Sequence, residues 1–419
     1  MSNKYQGDWE SLGIADAISL SLFPIERDEN LLKTIGYFWS DCLNCFIFGH
    51  GPMTPTLLDV QMITGLDISS PSPSAFDATE VPYRLSSKAD CNNWGSYLQE
   101  HAKTSGPVSE REHTAFLNLW LEHFVFCGSS LAPTKNYVSL AYDLAQGKKL
   151  GLGKLFLGEL YRCLHSATQN LLTRKKVKAG GPWWFIQLWA RLYFRGHVPK
   201  FPILSSRSFP TPSGDKIRCT GYGQALYSLP GRRQSPSEAA DWFRVFFQGL
   251  ADPDFFPYTD AENFENPVCF RLDMFADDPE TRQLFSSMIK PCFLPVGMSS
   301  ANRTVKPGYE AYQPVLAARQ LGLCQVPPHL FINRLTQVRA DLPNRIVASR
   351  CYRCFDELEI TIPSDLNLSC STDSFEVWWS SWKSHVFWWQ LGARLKAIDP
   401  AVDISEEEVS RSPASPPFG

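Results

Sequence analysis

The chain has 419 residues, 44% of them hydrophobic and 13% aromatic, with 13 Trp and 28 Phe. That apolar content excludes global disorder and supplies a sizeable core for one large domain or two. A formal net charge of −3 excludes a generically basic nucleic-acid binder, so any such role has to be local.

The opening MSNKYQGDWE lacks the apolar segment of a secretory signal. The longest apolar stretches, near Phe116–Cys127 and Pro182–Phe194, are too short and too polar to span a bilayer. The expectation is a soluble intracellular protein whose 12 Cys are mostly small buried apolar residues, not bridges.

Residues 1–29 read as a partly ordered N-terminal extension. Between Asn30 and Ile47, Leu31, Ile35, Phe38, Trp39 and Cys42 recur at spacings of three and four, which predicts a helix. Cys45–Phe48 suits either its last turn or a short strand. In HGPMTPTLLDVQMITGL, Thr56 and Asp59 form a capping box with Asp in place of Glu, and Gly65 suits the left-handed residue after the last turn. The enclosed helix, about Leu57–Thr64, is too short to be stable alone. It is expected to dock through Leu57, Val60, Ile63 and Leu66.

Ser69–Ser74 is a loop. A helix opening near Glu112, TAFLNLWLEHFVF, is apolar on nearly every face and so central. Tyr137–Gln146 and Leu152–Leu172 predict two more helices, followed by Arg174, Lys175, Lys176 and Lys178. Pro182, at a first helical position, then opens a helix spaced by Trp183, Ile186, Trp189, Ala190 and Tyr193. Residues 201–237 are a Pro/Ser/Gly-rich insert with a small hairpin at Cys219–Leu229. Asp241–Leu250 is a short helix, and 251–310 mixes turns with short elements. Further helices cover about 314–321, 328–340 and 374–397, the last carrying Trp378, Trp379, Trp382, Trp388 and Trp389. The tail, 398–419, with its EEE and SPASPP, is disordered by composition. The fold class is mainly α: a multi-helix globular domain over 30–397 with minor short β-strands and long Pro/Ser-rich loops.

Chemical templates give little. Cys42/Cys45 and Cys351/Cys354 are two Cys-x-x-Cys pairs, but they lie some three hundred residues apart, and Cys42 falls on the apolar spacing of its own segment. Buried thiols are the better reading than zinc. GKKLGLGK at Gly147–Lys154 fails the phosphate-loop pattern and reads as a turn between helices. The eight His are dispersed, with no His-x-x-x-His, and no Gly-x-Ser-x-Gly is present. No catalytic, cofactor-binding or metal-binding residue is assigned, and no cofactor. Arg174, Lys175, Lys176 and Lys178 form the one local basic patch. Cations solvated at a helix end and contacts to a phosphate backbone are both open readings of it.

The ordered blocks resemble the plant mobile domain family, often labelled aminotransferase-like. The first is Phe38-Trp39, Cys42–Phe46, Gly51–Leu57, Asp59-Val60 and Thr64–Leu66, with Pro52 where the family usually has Glu. Then come Phe116, Trp120, Leu121 and Phe126, followed by Leu140-Ala141, Leu144-Ala145, Gly147 and Leu160–Arg162. Gly181–Trp184 with Gln187–Trp189, Phe256–Tyr258, Tyr312–Pro314, Ala318–Gly322, Gln325, Pro327 and Trp378-Trp379 complete the set. The resemblance implies a nuclear protein, similar to maintenance-of-meristems proteins or to transposon-borne relatives. It further implies a serine/threonine phosphatase of the metallophosphatase type as partner, and no membrane. It carries over no catalytic residue, and no lysine here stands in a pyridoxal-phosphate context. The leading expectation is therefore a non-enzymatic protein acting through protein partners in transposable-element silencing, genome maintenance or meristem maintenance. The alternative is a transposon-derived nucleic-acid-binding module.

Overall fold

The computed structural model describes residues 2–22, 26–73, 79–102, 106–173, 175, 177, 180–194, 208–210, 216–218, 221–228, 234–258, 279–297, 308–328 and 370–386. Helices α1 (Ser2–Ser11), α2 (Ala15–Leu20) and α3 (Glu29–Gly36) come first. The stretch 1–29 thus supplies Trp9, Leu12, Ile14 and Ile18 to the main core.

The helix expected to run from Asn30 toward Ile47 stops at Gly36. Beyond it lies an antiparallel sheet of β1 (Trp39–Ser40), β2 (Cys45–Phe48) and β3 (Gly51–Met53), with Trp39 opposite Phe46 and Phe46 opposite Met53. The reason is local. Gly36 weakens the helix, aromatic residues favour strands, and Asn44 takes the left-handed conformation (φ 54°) that lets the chain reverse. Cys42 is therefore an exposed turn residue, not a position on an apolar helix face. Alternation along β2 then splits the interior. Phe46 and Phe48 face the main core, while Cys45 and Ile47 face a smaller cluster with Leu43, Leu316, Phe375 and Trp379.

Helix α4 (Leu57–Thr64) has the expected capping box, with Thr56 Oγ1 accepting from the Asp59 amide, and Gly65 sits at φ 70°. It does not dock by one stripe: Leu57 through Val60 and Met62 through Thr64 are all buried, which leaves only Gln61 partly outside. Helices α5 (Trp94–His101) and α6 (Glu110–Leu119) follow, and α6 runs on into a π-helical turn, Trp120–Val125. Helix α7 (Val138–Ala145) and α8 (Leu152–Leu172) flank the turn read from GKKLGLGK, which ends at Gly151, the remaining Leu152–Lys154 opening α8. Gly158 lets α8 lie directly on a later strand, since a Cβ there would stand 2.3 Å from the Pro295 carbonyl oxygen.

Helix α9 (Trp183–Tyr193) starts one residue later than expected, with Pro182 outside the first turn. In the insert, the hairpin is β4 (Ser208–Pro210) with β5 (Lys216–Arg218), not Cys219–Leu229, where helix α10 (Tyr222–Ser228) lies instead. Helix α11 (Pro236–Gln248) begins before Asp241 because Ser235 and Glu238 form a second capping box with Pro236 at N1. Helix α12 (Pro279–Ile289), the hairpin β6 (Cys292–Val296)/β7 (Gly308–Tyr312), a 3₁₀ segment (Pro314–Leu321) and α13 (Asp373–Val386) complete the described order. The architecture is mainly α with a few short antiparallel strands. All of the helix expected at 328–340 beyond Pro328, the tail 398–419, Trp388, Trp389 and Cys351/Cys354 lie outside the described residues.

Candidate functional site

Two places concentrate polar chemistry. The first is sealed. Asp59 is wholly buried, and five donors converge on its carboxylate. Oδ1 accepts from the Tyr193 hydroxyl at 2.7 Å and the Tyr258 hydroxyl at 2.5 Å. Oδ2 accepts from the Thr56 amide at 2.7 Å, the Thr56 hydroxyl at 2.8 Å and Trp189 Nε1 at 3.3 Å. Burial pushes the Asp59 carboxyl up, and the hydroxyls of Tyr258 and Tyr193 pull the other way. The tyrosines and Trp189 come from α9 and from residues near 258, so this node ties distant chain segments to the cap of α4. It is a structural anchor. The sequence marked Asp59 only as a cap. The sign of burial was its place inside the apolar run Leu57–Ile63.

Nearby His50 is also structural. Its Nδ1 accepts from the Leu250 amide at 3.1 Å, and its ring packs among Phe48, Phe194 and Phe255.

The second place is open, a cleft of about 360 Å³. One wall is a single face of α8, where Glu159, Arg162, Cys163, Ser166 and Asn170 recur at helical spacing. The other wall is the loop after the π-helical turn, with Gly128, Ser129, Ser130 and Thr134, and the entry to α9. The Gly181 amide donates to the Cys127 carbonyl at 2.8 Å, and Trp183 Nε1 donates to the Gly180 carbonyl at 3.1 Å. The first of these bonds joins the loop to the entry of α9, and the second fixes that entry on itself. Cys127 takes a left-handed conformation (φ 47°) to make this turn, an uncommon one for a non-glycine residue.

Both carboxylates of the cleft hold protein groups. Glu159 Oε2 accepts from Arg162 Nε at 2.9 Å and Nη2 at 2.5 Å, while Oε1 accepts from the Gly297 amide at 2.6 Å. Glu122 accepts from the Thr134 amide at 2.7 Å and from the Thr134 hydroxyl. Burial pushes Glu122 up against those bonds. Burial also pushes Cys127 and Cys163 up to about 12, so both thiols stay protonated at neutral pH and are poor nucleophiles. The Arg162 side chain is half exposed and presents a guanidinium to the cleft.

Of the predicted basic patch, the structure describes Lys175 alone, which is exposed and donates its amide to the Asn170 carbonyl at 2.8 Å. Arg174, Lys176 and Lys178 lie outside the described residues. Asn170 and Gly180 line the cleft on either side of this segment in the chain, and Val177 lines it from within. Arg162 stands in one of the ordered sequence blocks, but its cleft is not legible there, because the walls meet only in the fold. Cys45 is buried with its thiol pushed well up by burial, first of all, and by Cys42. Among the described residues no cluster of three or more His, Cys, Asp or Glu has metal-binding geometry. Among them, too, no helix is long and apolar enough to cross a membrane.

No curated protein and no solved structure matches the chain. The family profile described as plant mobile domain matches residues 13–380, from α2 through most of α13. The chain belongs to the plant mobile domain family.

Proposed function

We propose that this chain is a non-enzymatic nuclear protein that acts through protein partners in transposable-element silencing, genome maintenance or meristem and cell-fate maintenance. The supporting observation is the stretch that frames the open cleft, from the π-helical turn into the loop after it. Between Glu122 and Thr134, which it ties together, it turns Phe124 (40% exposed) and Leu131 (84% exposed) outward. Exposed apolar side chains beside a polar concavity suit a protein contact. The partner to which family likeness points is a serine/threonine phosphatase of the metallophosphatase type.

The test is capture from plant nuclear extract with the full chain, read by an antibody to the phosphatase. Wild type is expected to retain it. A Phe124→Ser/Leu131→Asp double variant, still folded by circular dichroism, is expected to lose at least about tenfold of the signal. Wild type that retains no phosphatase, or a variant that retains it fully, overturns the reading.

A second reading, a nucleic-acid-binding module derived from a mobile element, is favoured by one observation. Exposed Lys175 directly follows the cleft-lining face of α8. On that reading, Lys175→Ala weakens binding across sequences and lowers the salt slope by about 1. An unchanged slope removes it.

A further inference from the structure

The segment after the 3₁₀ turn meets the start of α13 in a short parallel contact. Gln325 pairs with Ser371, the Gln325 amide donates to the Cys370 carbonyl at 2.8 Å, and the Thr372 amide donates to the Gln325 carbonyl at 3.0 Å. In such a register the preceding residues, Cys324 and Cys370, stand side by side and point to the same side. Neighbouring strands lie about 4.8 Å apart, inside the Cα separation of about 4.4–6.8 Å that a disulfide tolerates. The Cys370 thiol is the first cause that holds the Cys324 thiol above its ordinary value, with burial second. Cys370 is exposed and Cys324 half-buried. Both positions are unlike the buried Cys45 or the packed Cys163.

We propose that Cys324 and Cys370 form an oxidation site, a thiol pair that a hydroperoxide converts to a disulfide clamping α13 to the body of the domain. Cys370, the exposed sulfur, attacks the terminal oxygen of the hydroperoxide. The O–O bond breaks, a sulfenic acid forms on Cys370, and water leaves when the oxidant is hydrogen peroxide. Cys324 then attacks the sulfenic sulfur. The S–S bond forms, the S–O bond breaks, and a second water carries away the remaining thiol hydrogen. Two thiols lose two electrons and the peroxide gains them.

The clamp acts on a specific packing unit. Helix α13 inserts Phe375 and Trp379 among Leu43, Cys45, Ile47 and Leu316, and Thr372 caps it by accepting from the Phe375 amide at 3.2 Å. Joining Cys324 to Cys370 ties the residues that lead into α13 to those that follow the 3₁₀ segment carrying Leu316. It also closes the chain between residues 324 and 370, which restricts the unfolded ensemble.

The full chain, reduced and then treated with hydrogen peroxide, is alkylated and mapped by peptide mass spectrometry. The expected product is a Cys324–Cys370 cross-linked peptide, absent before oxidation and abolished by dithiothreitol. Cys324→Ser is expected to stop at a sulfenic acid on Cys370 that dimedone traps, and Cys370→Ser to give no cross-link at position 324. Oxidised wild type should melt higher than reduced wild type, with no such gain in Cys324→Ser. The proposal is overturned if both cysteines remain open to alkylation while other thiols oxidise. It is equally overturned if either one links instead to another cysteine such as Cys351 or Cys354. The mapping on wild type needs no variant to fold.

Discussion

Asp59 sits where a charge has no solvent, and its stability depends on donors. A carboxylate only accepts, so five converging donors suit it and a neutral amide does not. In Asp59→Asn the side-chain NH₂ would face a tyrosine hydroxyl or the Trp189 and Thr56 N–H groups, and at least one donor would lose its acceptor. The expected cost is about 1–3 kcal/mol, the penalty of an unsatisfied buried polar group. It is read as a lower urea midpoint at unchanged slope. An unchanged midpoint would show that the hydroxyls turn round at no cost. The sequence pattern named the cap. It could not name Tyr193 and Tyr258, which stand far along the chain and were read only as a helix-spacing aromatic and a family-block aromatic.

Docking of α1 is an element-scale matter. Its Trp9 Nε1 donates to His113 Nε2 on α6 at 3.1 Å, and Tyr5 stacks on the His113 ring with centroids 3.7 Å apart. That acceptor nitrogen must be unprotonated. Burial pushes His113 down from an ordinary 6.5 to about 4, with Asp8 opposing and Lys4 assisting. The folded state therefore binds fewer protons than the unfolded state between those values. The stabilisation is fully present above about pH 6.5, falls as pH drops through the window and is gone below about pH 4. Amide protection factors across Ser2–Ser11, corrected for the intrinsic exchange rate at each pH, are expected to fall as pH drops over that interval. His113→Gln, which cannot titrate, should flatten that fall. A variant as acid-sensitive as wild type would place the sensor elsewhere. Element boundaries follow the same division of local and distant causes. Leu57–Thr64 was legible because apolar spacing and caps agree within a few residues, and Leu152–Leu172 because its apolar spacing repeats over several turns. Of the sheet β1–β3 only β2 was legible, as one of two readings of Cys45–Phe48, since Phe38 and Trp39 continue a helical spacing that Gly36 and the Asn44 turn interrupt.

At the scale of the whole molecule, one main core takes side chains from α1 through β7, with smaller clusters set beside it. The family match spans most of that range, residues 13–380. What the chain's own order of residues determined is the family, the helical class, the caps of α4 and the long helix α8. Each rests on signals within one or two turns or on an ordered series of short blocks. Tertiary structure alone decided that Asp59 is an anchor, that α8 and the entry of α9 enclose a cleft around Arg162, and that Cys324 meets Cys370. Those groups converge from positions far apart in the chain, as with Asp59 and Tyr258 at a separation of 199 residues. Helical periodicity and capping reach only a few residues, so they fix which face a side chain occupies. Which distant partner fills the space opposite is set by the packing of the whole core.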